Sequence, residues 1–208
     1  VDLTPIGGTY NANQVWVSRN NFPARTMSEL IAYAKQNPGK VSAAHYSSLT
    51  QIQLSAMGSL AGIDLLMVPY KSTTTAYTDL MGGTVDLTLM DMATAIAQVK
   101  GGKAKMLGVT TLKRNALAPE WPAVSESVPG YDFVSWSALV GPAGMARETV
   151  ERVNAALVQS LKRKEVLQSM TDGGVLAWAS TPEELKARID TEVPRWIRLA
   201  RDANIQPE

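Results

Sequence analysis

The 208-residue sequence contains no cysteine, one histidine and only two phenylalanines. Without cysteine, disulfides, thiolate catalysis and cysteine-ligated zinc or iron–sulfur centres are excluded. A single imidazole, His45, cannot build a multi-histidine metal site; no metal or other cofactor is expected. Neither sign of charge dominates. The 20 basic and 19 acidic side chains leave a net +1, and no polybasic face is set aside for nucleic acid or an anionic membrane. No apolar run approaches the length of a membrane-spanning helix. The start, Val1-Asp2-Leu3-Thr4-Pro5, lacks the basic residues and apolar stretch of a signal peptide, which would then be absent or lie upstream.

What is present is an alternation of short apolar runs and amphipathic segments. Val15 and Val17 mark a strand over 13–20. Thr26 and Glu29 have capping-box spacing before a helix carrying Leu30, Ile31 and Ala34. Strands are expected over 41–45, 63–70, 85–90 and 105–112. Helices are expected between them, carrying Ile52, Leu54, Met57 and Leu60, then reaching Leu80, then spanning Met92–Val99 behind an Asp91 cap. Strand and helix in this rhythm predict parallel α/β layering with right-handed crossovers. Pro119, Pro122 and Pro129 form a connector, followed by a strand over 131–140. The tail reads as helical, with Val150, Val153, Leu157, Val158 and Leu161 on one face and Leu185, Ile189, Trp196 and Leu199 on another. Between those two helices come a shorter helix from Glu165 and a strand over 175–179, and Pro194 is expected to kink the last helix.

In open parallel sheets, ligands bind beyond the carboxyl ends of the strands, where helix N-termini point. Three such junctions stand out: His45-Tyr46-Ser47-Ser48-Leu49-Thr50-Gln51, Lys71-Ser72-Thr73-Thr74-Thr75, and Asp91. Hydroxyls and small residues beside a helix start suit an anion cradle, and they suit ordinary helix capping equally well. The candidate ligand-binding residues are therefore His45, Tyr46, Ser47, Ser48, Thr50, Gln51, Ser72, Thr73, Thr74 and Asp91. No arginine lies in these loops, so contact must come from backbone N–H groups and hydroxyls. Tyr46 and Tyr70 could stack on a ring, whereas Trp16 and Trp136 read as core. Gly82-Gly83, Gly101-Gly102 and Gly173-Gly174 read as helix C-caps rather than phosphate loops.

Several stretches together resemble the Bug-type solute receptors of tripartite tricarboxylate transporters. They are Leu30-Ile31-Ala32-Tyr33-Ala34-Lys35-Gln36-Asn37-Pro38-Gly39-Lys40, Val68-Pro69-Tyr70-Lys71, the run 78–86, Gly141-Pro142-Ala143-Gly144, and the end from Glu192 through Arg195-Trp196 to Ile205. The resemblance implies a type II periplasmic-binding-protein fold, with two α/β domains around a cleft. It implies a periplasmic, non-enzymatic receptor that delivers a small mono- or dicarboxylate to a membrane permease. In the same terms, residues 18–132 would form the second domain, and 1–17 with 133–208 the remainder of the first, whose N-terminal part would be missing from this chain. The helices over 150–161 and 185–199 would then keep exposed apolar faces and favour self-association. His45-Tyr46 and the threonines after Ser72 stand where the family is richer in glycine, a departure that would suit a larger or aromatic carboxylate.

Two other readings compete. The effector domain of a LysR-type transcription regulator has a similar fold and length and also binds small anions. A hydrolase using Ser47 or Ser48 with His45 would need a nucleophile–base hydrogen bond, and the sequence has no Gly-x-Ser-x-Gly elbow.

Overall fold

In a computed structural model describing residues 3–205, the chain divides into two compact units, Val1–Ala12 with Ser135–Arg198 and Asn13–Val134 with Leu199–Glu208. Val1 and Asp2 of the N-terminal reading lie outside the described residues, as do the last three.

The larger unit is built on a five-stranded sheet: β2 (Gln14–Arg19), β3 (Val41–His45), β4 (Leu65–Pro69), β5 (Leu87–Asp91) and β6 (Ala104–Val109), in the order β4-β3-β5-β2-β6. Helices α1 (Met27–Gln36), α2 (Ser48–Ala61), α3 (Thr73–Gly82) and α4 (Met92–Lys100) alternate with the strands. β5 is buried along its whole length except at Asp91, which explains its unbroken apolar reading. Trp16, Leu30, Leu54, Met57, Leu80, Leu89, Met92 and Leu107 fill the core around it. Leu60, expected on the apolar face of α2, is instead exposed. Trp16 donates its Nε1–H to the Tyr131 hydroxyl at 2.8 Å, so both large aromatic polar groups are paired inside that core.

The sheet is not wholly parallel. β3 runs parallel to β4 and β5, but β2 is antiparallel to β5 and β6. An apolar run has no direction, so the sequence pattern alone reads the same either way. The strand also enters the larger unit's sheet complete, which moves the boundary expected after residue 17 to Asn13. Buried Thr110 fixes that entry: its Oγ1 accepts from Gln14 N at 3.0 Å and donates to Phe133 O at 2.9 Å.

The smaller unit carries an antiparallel sheet of β1 (Leu3–Ala12), β7 (Ser135–Pro142) and β8 (Val175–Ala177), in the order β7-β1-β8. Its helices are α5 (Arg147–Ser160), α6 (Lys164–Asp172) and α7 (Pro182–Asp202) up to Arg198, the residues from Leu199 on grouping with the larger unit. β1 carries no strand signal because Pro5, Gly7 and Gly8 read as breakers. Two register shifts at those residues absorb them, and a Cβ at Gly8 would run into the Trp178 indole. β7 starts at Ser135 rather than Tyr131. α7 runs on through Pro194 to Asp202 without ending there. The expected apolar faces are only thinly covered: α5 buries Val150, α7 buries Leu185, and α6 buries nothing. Val153, Leu157, Val158, Ile189, Trp196 and Leu199 are half-exposed.

One cross-strand knot is a sharp test of the larger unit. Asp86 accepts from Arg19 Nε at 2.7 Å through Oδ1, and from Ser42 N and Ser42 Oγ, each at 2.9 Å, through Oδ2. Asp86→Ala strands a half-buried guanidinium and a backbone N–H. It is expected to lower stability by about 2–3 kcal/mol, and Asp86→Asn by less, in urea denaturation at neutral pH.

Candidate functional site

Because β3, β4 and β5 run in one direction, α2, α3 and α4 begin at the same edge of the sheet, after His45, Pro69 and Asp91. Each N-terminus is capped. Ser47 Oγ accepts from Thr50 N at 3.2 Å, Ser72 Oγ from Thr75 N at 3.3 Å, and Asp91 Oδ1 from Thr94 N at 2.8 Å. The caps satisfy the third N–H of each helix, and Ser47 O and Ser72 O accept the next ones in α2 and α3. The N–H groups of Ser48 and Leu49 in α2 and of Thr73 and Thr74 in α3 are left with no acceptor inside their helices. No acidic side chain occupies the first turn of either helix, so their positive ends are not neutralised from within. At α4 the Asp91 carboxylate already answers the dipole.

The structure sorts the ten candidate residues by what their side chains are free to do. Thr50 is fully buried, and its Oγ1 is spent on Tyr46 N, Ser47 N and Ser47 O, so it positions the turn. The Ser47 and Ser72 hydroxyls are committed as caps. Thr73 and Thr74 stand in the first turn of α3 rather than in a loop, both exposed. Ser48 is exposed, Gln51 half-buried, and Asp91 exposed at the strand end.

Tyr46 is less available than its place in the sequence suggests. Its ring meets Tyr77 edge-on at 5.9 Å, and its hydroxyl donates to Leu89 O at 2.8 Å while accepting from Gln14 Nε2 at 2.9 Å. With that proton committed, Tyr77 is the donor in the 3.3 Å contact between the two hydroxyls. Burial, reinforced by Tyr77 and the Asp91 charge, holds the Tyr46 hydroxyl well above its ordinary range. Gln14 and Tyr77 carry no signal in the sequence, because β2 and α3 bring them to Tyr46 only in the fold.

Beside α3 lies a cavity of about 450 Å³ lined by Pro69, Tyr70, Lys71, Thr74, Thr75, Thr78 and Asp79. Only Thr74 of the ten candidates lines it. The Tyr70 hydroxyl donates to Asp79 Oδ2 at 2.7 Å, and burial together with that carboxylate pushes the phenol up to about 12. The i, i+4 spacing of Thr74 with Thr78 and Thr75 with Asp79 marks this helix face in the sequence.

His45 ends β3 with its imidazole half-buried, and no hydrogen bond joins it to Ser47 or Ser48 among the described residues. Ser47 Oγ is held by Thr50 instead, so the nucleophile–base pair that a hydrolase needs is not assembled. Trp136, expected in the core, is half-exposed in the smaller unit beside Trp178 and Arg188.

A family model described as the tripartite tricarboxylate transporter family receptor matches residues 1–205. The UPF0065 protein in the tcbD-tcbE intergenic region of Pseudomonas sp. (strain P51) is 30% identical over 202 residues, covering 95% of this chain. The chain spans 60% of that relative's length. Among solved structures, R. palustris Rpa4515 with adipate matches at a TM-score of 0.86 and 24% identity, over 100% of this chain and 71% of that one. The periplasmic binding protein BugD matches at 0.82 and 28% identity, over 99% and 71%. The regulator effector-domain reading gives way to the family match.

Burial lowers the His45 pKa from its usual 6.5. The neutral form is therefore favoured on folding: stability is complete above pH 6.5, and falls as acid protonates the unfolded chain first. The loss stops once the pH is below the folded value. NMR titration of this single imidazole should give a midpoint below 6.5. His45→Gln should remove that part of the pH dependence of the denaturation midpoint.

Proposed function

The chain belongs to the tripartite tricarboxylate transporter receptor family, and from that premise we propose that it is a periplasmic receptor for a small mono- or dicarboxylate, which it passes to a membrane permease. It works by binding and release, with no covalent bond made or broken. The observation that carries the ligand class is the pair of N-termini on α2 and α3: capped, free of acidic first-turn residues, and starting at one sheet edge. Adipate, the ligand named with the similar R. palustris protein, is a dicarboxylate, which fits this chemistry.

The ten candidates take different parts. Backbone N–H groups of Ser48, Leu49, Thr73 and Thr74 hold the carboxylate, with the hydroxyls of Ser48, Thr73 and Thr74 beside them. Ser47, Ser72 and Thr50 keep those N–H groups aimed. His45, Tyr46 and Gln51 border the α2 side, and Asp91 accepts from a ligand hydroxyl, ammonium or bridging water. Contacts of this kind hold an anion without a fixed cation. They also leave the remainder of the ligand to be recognised by side chains and water.

Proline at the first helical position tests this without disturbing the helix. It removes one N–H that has no intrahelical acceptor, and its fixed φ suits that position. Ser47 (φ −159°, ψ 163°) and Ser72 (φ −153°, ψ 157°) already have the extended conformation that a following proline requires. Ser48→Pro and Thr73→Pro are each expected to weaken carboxylate binding about tenfold or more, with the melting temperature unchanged. Calorimetric titration with adipate, succinate and citrate reads the affinity. Unchanged affinity in both variants would place the ligand elsewhere, and binding only of neutral or cationic ligands would overturn the carboxylate class.

A further inference from the structure

The smaller unit holds a cation that nothing in the proposed site uses. Arg188, on α7, places its guanidinium carbon 4.1 Å from the Trp178 ring centre and 5.1 Å from that of Trp136. The two indoles meet edge to face at 6.0 Å and 77°, so the guanidinium sits in the corner they form. Its Nη1 donates to Asn11 Oδ1 at 2.8 Å, a neutral acceptor at the end of β1. Asn11 and Trp136 are register partners on β1 and β7, so three elements fix the position of this side chain.

A half-buried guanidinium is ordinarily paired with a carboxylate. Arg19 shows the ordinary case in this protein, with Asp86 at 2.7 Å. Arg188 forms no ion pair among the described residues. The acid one turn along, Glu192, turns its Oε2 to Trp196 Nε1 at 2.9 Å and to Arg195 Nη1 at 3.3 Å. Burial lowers the Arg188 pKa and the nearby Glu192 charge acts against that, so the cation is pre-positioned, partly dehydrated and only partly offset, with no carboxylate oxygen in ion-pair contact. An arriving carboxylate gains a charge-assisted contact, and little side-chain freedom remains to be lost.

We propose that Arg188 is the anchor of a second anion subsite, lying wholly in the smaller unit, that takes the carboxylate of a small organic acid with an apolar skeleton. The planar guanidinium fork matches the two oxygens of a carboxylate. The Trp136 and Trp178 rings supply the apolar wall beside it, and Asn11 takes one N–H of Nη1, leaving the other donors with no hydrogen-bond acceptor among the described residues. The subsite does not depend on the N-termini of α2 and α3.

The test uses benzoate as the probe and the Nε–H resonance of Arg188, identified in a proton–nitrogen spectrum by its loss in Arg188→Lys. Benzoate should move that resonance saturably, while the exposed Arg201 stays unmoved. The Ser48→Pro/Thr73→Pro double variant should show the same curve, which separates this subsite from the carboxylate site proposed above. In calorimetry, Arg188→Gln should weaken benzoate at least tenfold. Asn11→Ala, which leaves the cation in place, should weaken it less. A shift that does not saturate, equal affinity in Arg188→Gln, or a response lost in the double variant would each overturn the proposal. Inorganic phosphate binding as tightly as benzoate would overturn the assigned class. Trp178→Phe, which keeps an aromatic wall, covers the case in which Arg188→Gln does not fold.

Discussion

A parallel strand can be followed by a parallel neighbour only if the chain returns to the starting edge, and here it returns through a helix each time. β3, β4 and β5 obey that constraint, so α2, α3 and α4 all start at the edge where those strands end. The site proposed in the larger unit follows from this repetition. Each helix brings N–H groups that nothing in the helix can pair, and the fold collects three such ends along one line. A single helix start would be unremarkable, because capping alone accounts for its serine and its dipole. Adjacent starts without internal acidic compensation leave positive potential that the protein itself does not cancel.

The caps decide how that potential is used. Ser47 with Thr50, and Ser72 with Thr75, close short hydrogen-bonded cycles that absorb the hydroxyls most visible in the sequence. The groups left over belong to the main chain, at the residues just beyond the caps. The Tyr46, Tyr77 and Gln14 network stiffens the same region from behind, with the Leu89 carbonyl as its terminal acceptor. Division of labour is thus between side chains that hold the backbone and a backbone that offers donors.

Much of this was legible beforehand because local chemistry dictated it. The Thr26 and Asp91 caps and the glycine stops at Gly62 and Gly83 coincide with the observed helix ends, and Ser47 and Ser72 prove to be the caps within the two hydroxyl-rich runs. Non-local facts were not legible. The reversed direction of β2 leaves no trace in an apolar run, and β1 is disguised by Pro5, Gly7 and Gly8, whose irregular pairing only the partner strands reveal. The candidate residues lie at strand–helix junctions, but the sequence does not distinguish hydroxyls committed to caps from donors free to meet a ligand. Thr50 looks like Thr74 on paper; one is fully buried and the other exposed. Arg188 carried no signal, since its surroundings come from β1, β7 and the segment after β8.

The two exposed first turns have a bearing on how such a protein changes over generations. Donors supplied by the main chain do not depend on which side chain sits above them, provided the cap and the helical conformation persist. Ser48, Leu49, Thr73 and Thr74 can therefore be exchanged for most residues without removing the N–H groups they carry, whereas Ser47 and Ser72 cannot change so freely. On the proposed reading, affinity for the charged end of a ligand and selectivity for the rest of it are written into different atoms. In the proposed site, side chains at these four positions can drift while the main-chain donors stay in place.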